Sequence, residues 1–121
     1  MKYYSDTDKQ VNFLCEALGF KTDSYILDLG CGDGYQLTKL QQTFPNTFGI
    51  DKEPHFNLKN FTQSNIFENK LPENCFNSVF CLSPYFGSNW WNLDFLLESI
   101  SKSLKVGGSF GIDLFSQYLA L

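Results

Sequence analysis

Residues 26–34 read Ile26-Leu27-Asp28-Leu29-Gly30-Cys31-Gly32-Asp33-Gly34, an apolar run carrying one acid that passes directly into three glycines at alternate positions. Such a run reads as a buried strand that turns sharply beneath a small ligand. Glycine supplies positive φ and removes side chains where another molecule approaches the backbone. A second signal follows at Asp51, 21 residues beyond Gly30, which ends the short apolar run Thr47 to Ile50. In nucleotide-binding α/β folds an acid about 20 residues after the glycine turn accepts hydrogen bonds from ribose hydroxyls. Together the two signals imply a ligand that contains a ribose.

The glycine spacing narrows that ligand. The dinucleotide pattern G-x-G-x-x-G aims a helix N-terminus at a pyrophosphate. Here the pattern is G-x-G-x-G with Asp33 between the last two glycines. An acid there disfavours an anion cradle and suits an amino-acid moiety with a cationic centre, the makeup of S-adenosylmethionine. A nicotinamide dinucleotide is the alternative ligand.

At these residues the sequence resembles the class I S-adenosylmethionine-dependent methyltransferases. Ile26 to Gly34 is similar to the first motif of that family, and Gly49-Ile50-Asp51 to its acid-ended second strand. Asn65-Ile66-Phe67 sits where the family often has an acid that contacts the adenine amino group; this chain has an amide. Phe76 to Leu82, Phe86-Gly87 and Leu93 to Gly108 resemble the fourth strand, its loop, the next helix and a Leu-Lys-x-Gly-Gly turn, with Val106 in place of the common proline. The resemblance implies S-adenosylmethionine as cofactor, methyl transfer as activity, and cofactor contacts at Asp28, Gly30, Cys31, Gly32, Gly34, Asp51, Lys52, Asn65, Ile66 and Leu82.

The expected fold is α/β, a Rossmann-like doubly wound and mainly parallel sheet of about five strands flanked by helices. The strands are expected at Tyr25–Leu29, Thr47–Ile50, Thr62–Ile66, Asn77–Leu82 and Ser109–Phe115. Helical spacing recurs in Val11, Leu14, Cys15 and Leu18 (residues 5–19), in Leu37, Leu40 and Phe44, and in Leu93, Leu96, Leu97, Ile100 and Leu104, the last stripe stopped at Gly107-Gly108. These stripes are core rather than cofactor contacts. A single domain over 1–121, with its cofactor-binding core at 25–115, is expected to lack the last strands of the seven-stranded methyltransferase sheet. An edge strand at 109–115 would then expose unpaired backbone groups and favour a homodimer or another partner.

Of the 121 residues 43% are hydrophobic, yet no stretch approaches the ~20 apolar residues of a membrane span and no signal-peptide pattern opens the chain. No membrane role and a cytoplasmic location are expected. The four cysteines, Cys15, Cys31, Cys75 and Cys81, match no zinc spacing and read as reduced thiols, so no metal is expected. Net charge is −4 and the nine basic residues are scattered lysines, which disfavours a phosphate-backbone footprint and favours a small-molecule acceptor over nucleic acid.

Methyl transfer from a sulfonium needs alignment in a dry site more than a dedicated base. No catalytic residue is assigned, and His55, the lone histidine, lies just past the ribose acid in a place that reads as surface or adenine rim, a solvated residue rather than a general base. Substrate-facing side chains are expected at Tyr85 and Trp90 in the loop after the fourth strand, and at Tyr4 as a cover for the cofactor. Leu82-Ser83-Pro84-Tyr85 is similar to the Asn/Asp-Pro-Pro-Tyr motif of amino-methyltransferases but has Leu82 at the amine-binding position, so adenine methylation is not expected. Asp28, an acid in a buried run, must be paired or hydrogen-bonded. It is expected to bind the loop amides and hold the methionine ammonium, or else to brace the turn. The alternative to an enzyme is a non-catalytic methyltransferase-like module that needs a partner or a further C-terminal segment.

Overall fold

Branched and aromatic runs in this chain form central strands that are buried on both faces, as parallel sheets require, while the outer strands are partly exposed. The computed structural model describes residues 7–82 and 92–112. In chain order they form α1 (Thr7–Leu18), β1 (Ile26–Leu29), α2 (Tyr35–Gln41), β2 (Thr47–Asp51), β3 (Phe61–Gln63), β4 (Phe76–Cys81), α3 (Leu93–Ser103) and β5 (Leu104–Ile112). The strands make one sheet in the order β3-β2-β1-β4-β5, every neighbour pair parallel. All four residues of β1 are buried, which places this strand in the middle of the domain.

The sheet divides the core in two. On one face Ile26 and Phe80 pack with Val11 and Leu14 of α1, Leu40 of α2, and Phe44. On the other, Leu27, Leu29, Ile50, Val79 and Cys81 pack with Leu96 and Ile100 of α3. Complete burial of a leucine such as Leu37 or Leu40 is worth about 2 kcal/mol. The C-terminus of α1 is fastened to the sheet by serines: Ser109 Oγ donates to the Leu18 carbonyl at 3.0 Å and pairs with Ser78 Oγ at 2.9 Å. These hydroxyls satisfy a carbonyl that a helix end leaves without an intrahelical donor.

Element bounds differ modestly from expectation for the first four strands and materially at α3. The apolar stripe through Leu104 implied a helix running to Gly107-Gly108. Instead α3 ends at Ser103, Leu104 is already extended (φ −79, ψ 140), and the two glycines lie within β5. Phe76 to Ser78 on β4 faces the longer stretch from Leu104 to Ser109 on β5, so the excess residues bulge, with Gly107 at φ 82. The connections β2–β3 and β3–β4 carry no helix, so the strand–helix alternation lapses there. β3 and β5 are the sheet's outer strands among the described residues. The expected edge strand at 109–115 is described only as far as Ile112, and 113–115 lie outside the described residues.

Candidate functional site

Parallel strands raise the chain repeatedly to one edge of the sheet, and ligands in such folds bind beyond those carboxyl ends. Here the ends of β1, β2 and β3 are knitted together. The Gly30 and Cys31 amides both donate to the Ile50 carbonyl (2.7 and 3.0 Å), and the Ser64 amide donates to the Asp51 carbonyl (2.9 Å). Gln63 Nε2 donates to the Lys52 carbonyl at 3.1 Å. The result is a cleft of about 140 Å³ lined by Gly30, Ile50, Asp51, Lys52, Ser64, Asn65, Ile66 and Phe67. Five of the expected cofactor residues, Gly30, Asp51, Lys52, Asn65 and Ile66, thus meet in one place.

The glycine loop enters this cleft for reasons visible in its backbone. Gly30 and Gly32 have φ of 68 and 58, and a Cβ built on either meets nothing within 4 Å, so the space over the loop is open. Gly34 is constrained differently: its φ is 87, and a Cβ would approach Leu58 Cδ2 to 2.5 Å. It caps α2, and Asp33 Oδ1 accepts the Tyr35 amide at 3.3 Å.

Asp28 lies below the loop, only 3% exposed. Burial, followed by the negative charge of Asp51, raises its carboxyl well above the ordinary value. A proton held there, or a cation brought to it, relieves the cost of the buried charge. The Gly30, Cys31 and Gly34 amides donate to backbone carbonyls, so bracing of these three loop amides falls to the main chain rather than to Asp28. Cys31 is buried with its side chain against Gly49, where a Cβ would stand 3.0 Å from Sγ. Its thiol is pushed up to about 12 by burial and by Asp28, Asp51 and Asp33.

Asn65 behaves as a turn residue. Its Oδ1 accepts the Phe67 amide at 2.9 Å, folding the chain into the cleft wall after β3. The Phe67 carbonyl is in turn held by Asn92 Nδ2 at the start of α3. Leu82 lies elsewhere: it packs with the α1 side of the core and lines a separate groove with Phe13, Leu14 and Leu18. Strand alternation explains the difference, because Leu82 shares the parity of Phe80. Tyr4, Tyr85 and Trp90 lie outside the described residues.

Ile50, Ser64 and Phe67 were not expected as contacts, although Ile50 and Phe67 stand in the motifs quoted above, and His55 was expected to be solvated. The first three follow from register, since β3 pairs Thr62 with Ile50 and Gln63 with Asp51, so Ser64 continues past the acid. His55 is not a solvated residue. Its Nε2 lies 3.5 Å from Asp51 Oδ2, its side chain is 26% exposed, and its ring meets Phe61 edge-on at 5.3 Å between centroids. The i, i+4 spacing after the acid was the only signal in the sequence.

Comparison with known proteins follows this geometry. The methyltransferase domain family matches residues 27–112, and the chain belongs to that family. Sterol 24-C-methyltransferase erg-4 of Neurospora crassa is 22% identical over 125 residues, covering 91% of this chain and 32% of that protein. Among solved structures, the sugar N-methyltransferase KedS8 of Streptoalloteichus is similar with a TM-score of 0.73 at 21% identity, covering 96% of this chain and 50% of that one. A Haloferax volcanii protein in complex with the Trm112 methyltransferase activator has a TM-score of 0.69 at 22% identity, covering 88% and 50%. The chain therefore spans half or less of these relatives. The structural likenesses establish the Rossmann-like methyltransferase fold.

Proposed function

We propose that this chain is the cofactor-binding part of an S-adenosylmethionine-dependent methyltransferase acting on a small-molecule acceptor. The observation that carries the reading is the convergence of the open glycine loop, Asp51 and the 64–67 wall on one cleft. In it, Asp51 accepts the ribose hydroxyls, Gly30 and Gly32 admit the methionine moiety over the loop, and Asp28 balances its ammonium from below. Ile66 and the turn closed by Asn65 flank the adenine. Bound there, the cofactor supplies an already activated methyl group. The chain contributes alignment and exclusion of water, which suffice for in-line displacement at a sulfonium. The acceptor is met by residues including Tyr4, Tyr85 and Trp90 in this reading.

Calorimetric titration of S-adenosylhomocysteine into residues 1–121 tests it, with Asp51→Ala and a nicotinamide dinucleotide as controls. Saturable binding, weakened about tenfold or more by the substitution (~1.4 kcal/mol or above) and not displaced by the dinucleotide, is the expected result. A folded sample that binds nothing overturns it.

A second reading, a methyltransferase-like module completed by a partner, is favoured by one feature. With no helix between β3 and β4, a groove of about 490 Å³ remains open along Tyr25, Phe48, Leu71 and Phe76. Under this reading the chain alone is non-catalytic and associates in solution, which light scattering at rising concentration reads directly.

A further inference from the structure

We infer that His55 is the positioning residue for the ribose-binding carboxylate, holding Asp51 by one oxygen so that the other meets the ligand. The inference rests on the proposed cofactor site and goes beyond it by assigning a role to the lone histidine of the chain.

Three observations converge. The Asp51 carboxylate is engaged at Oδ2, which accepts the Glu53 amide at 3.1 Å and faces His55 Nε2 at 3.5 Å. The His55 Nε2 atom is buried and makes no hydrogen bond to a described residue, so the nearby carboxylate oxygen is its available acceptor. The imidazole is also held from the side by its edge contact with Phe61 of β3.

The chemistry then fixes the proton. A bare ring nitrogen facing a carboxylate oxygen would set lone pair against lone pair, so Nε2 carries hydrogen, either in the neutral ring or in the imidazolium. A separation of 3.5 Å is long for a hydrogen bond and short for an ion pair. The contact therefore strengthens when the ring is charged. Oδ2 is occupied by the turn that follows β2, and Oδ1 is left to accept a ribose hydroxyl. Because Phe61 lies on β3 and Asp51 on β2, His55 also ties the mouth of the cleft to the edge strand.

Ionisable groups surround the pair. Asp28 on β1 and Asp33 in the loop share its electrostatic environment through Cys31, Lys52 and Glu53 flank Asp51, and Lys59 precedes β3. β3 itself offers Phe61, Thr62 and Gln63, none of which titrates as an acid or base. Cys31, pushed up to about 12, stays a thiol across the relevant range. Asp28 also stands beside the site with its carboxyl raised by burial and by Asp51, so the contribution of His55 is read as the difference between the native chain and its His55 variants.

The test has two parts. The ring C–H resonance of the single histidine is followed by NMR against pH in the unliganded chain and in Asp51→Asn. The ring resonances are expected to differ between the two chains at every pH, because Asp51 Oδ2 lies 3.5 Å from Nε2; identical resonances overturn the pairing. S-adenosylhomocysteine affinity is then measured from pH 5.5 to 8.5 for the native chain, His55→Gln and His55→Phe. Across that range the native chain is expected to bind about threefold or more tightly than His55→Phe, which lacks a donor, with His55→Gln, which keeps one, binding between the two. Identical profiles in all three overturn the positioning role. If the NMR difference is present but the native chain binds no S-adenosylhomocysteine, the pair exists and the cofactor role assigned to it is refuted, so failure of the site and failure of the pair are told apart.

Discussion

At the scale of single residues, Asp28 is the least comfortable group in the fold. Its carboxyl is buried beneath the glycine loop and raised by that burial and by Asp51. The native state thus holds a proton that the unfolded chain gives up near pH ~3.9. Above that pH the native state binds more protons than the unfolded one, so this residue's contribution to stability is full below ~3.9 and is lost as pH rises toward the folded value. Urea denaturation at pH 5 and pH 8 should show the native chain losing more stability across this interval than Asp28→Asn. Equal losses would mean that the carboxylate is ionised and balanced in the fold. The acid was legible in the sequence as costly; which neighbour raises it further was not, because Asp51 reaches it through the pairing of β1 with β2.

Among elements, the helix-free connection between β3 and β4 depends on α3 for order. The Leu71 amide donates to Ser99 Oγ at 2.7 Å, both residues being buried, and Asn92 Nδ2 holds the Phe67 carbonyl. One helix therefore anchors both the cleft wall and the segment that follows it. Ser99→Ala leaves a buried amide without its acceptor and should cost ~1–3 kcal/mol, read as a shift in urea midpoint at constant slope. A change below ~0.3 kcal/mol would show that another acceptor takes over. The helical spacing of Leu93, Leu96 and Ile100 announced α3, but its end at Ser103 was set by the pairing of Leu104 with Phe76. A strand neighbour overrode the continuing apolar stripe.

For the whole molecule, the two-sided core sorts the four thiols. Cys31 and Cys81 are buried, each pushed up to about 12, with burial the largest cause and Asp28 contributing to both. Cys15 and Cys75 are partly exposed. Maleimide labelling of the native chain at pH 7, followed by peptide mass analysis, should modify Cys15 and Cys75 first and reach Cys31 and Cys81 only with unfolding. Equal rates at all four would contradict the packing. Among the described residues no helix is long and apolar enough to cross a membrane. The sequence by itself determined the parallel α/β class, the glycine turn and the acid that faces it, because strand alternation, helical spacing and glycine conformation are local properties of the chain. Tertiary structure alone decided that Leu82 leaves the cleft for the α1 face, that Cys31 turns its sulfur onto Gly49, and that His55 folds back onto Asp51 against Phe61. Each of these rests on contacts between segments whose proximity is set by strand order and register, and no run of neighbouring residues encodes that proximity.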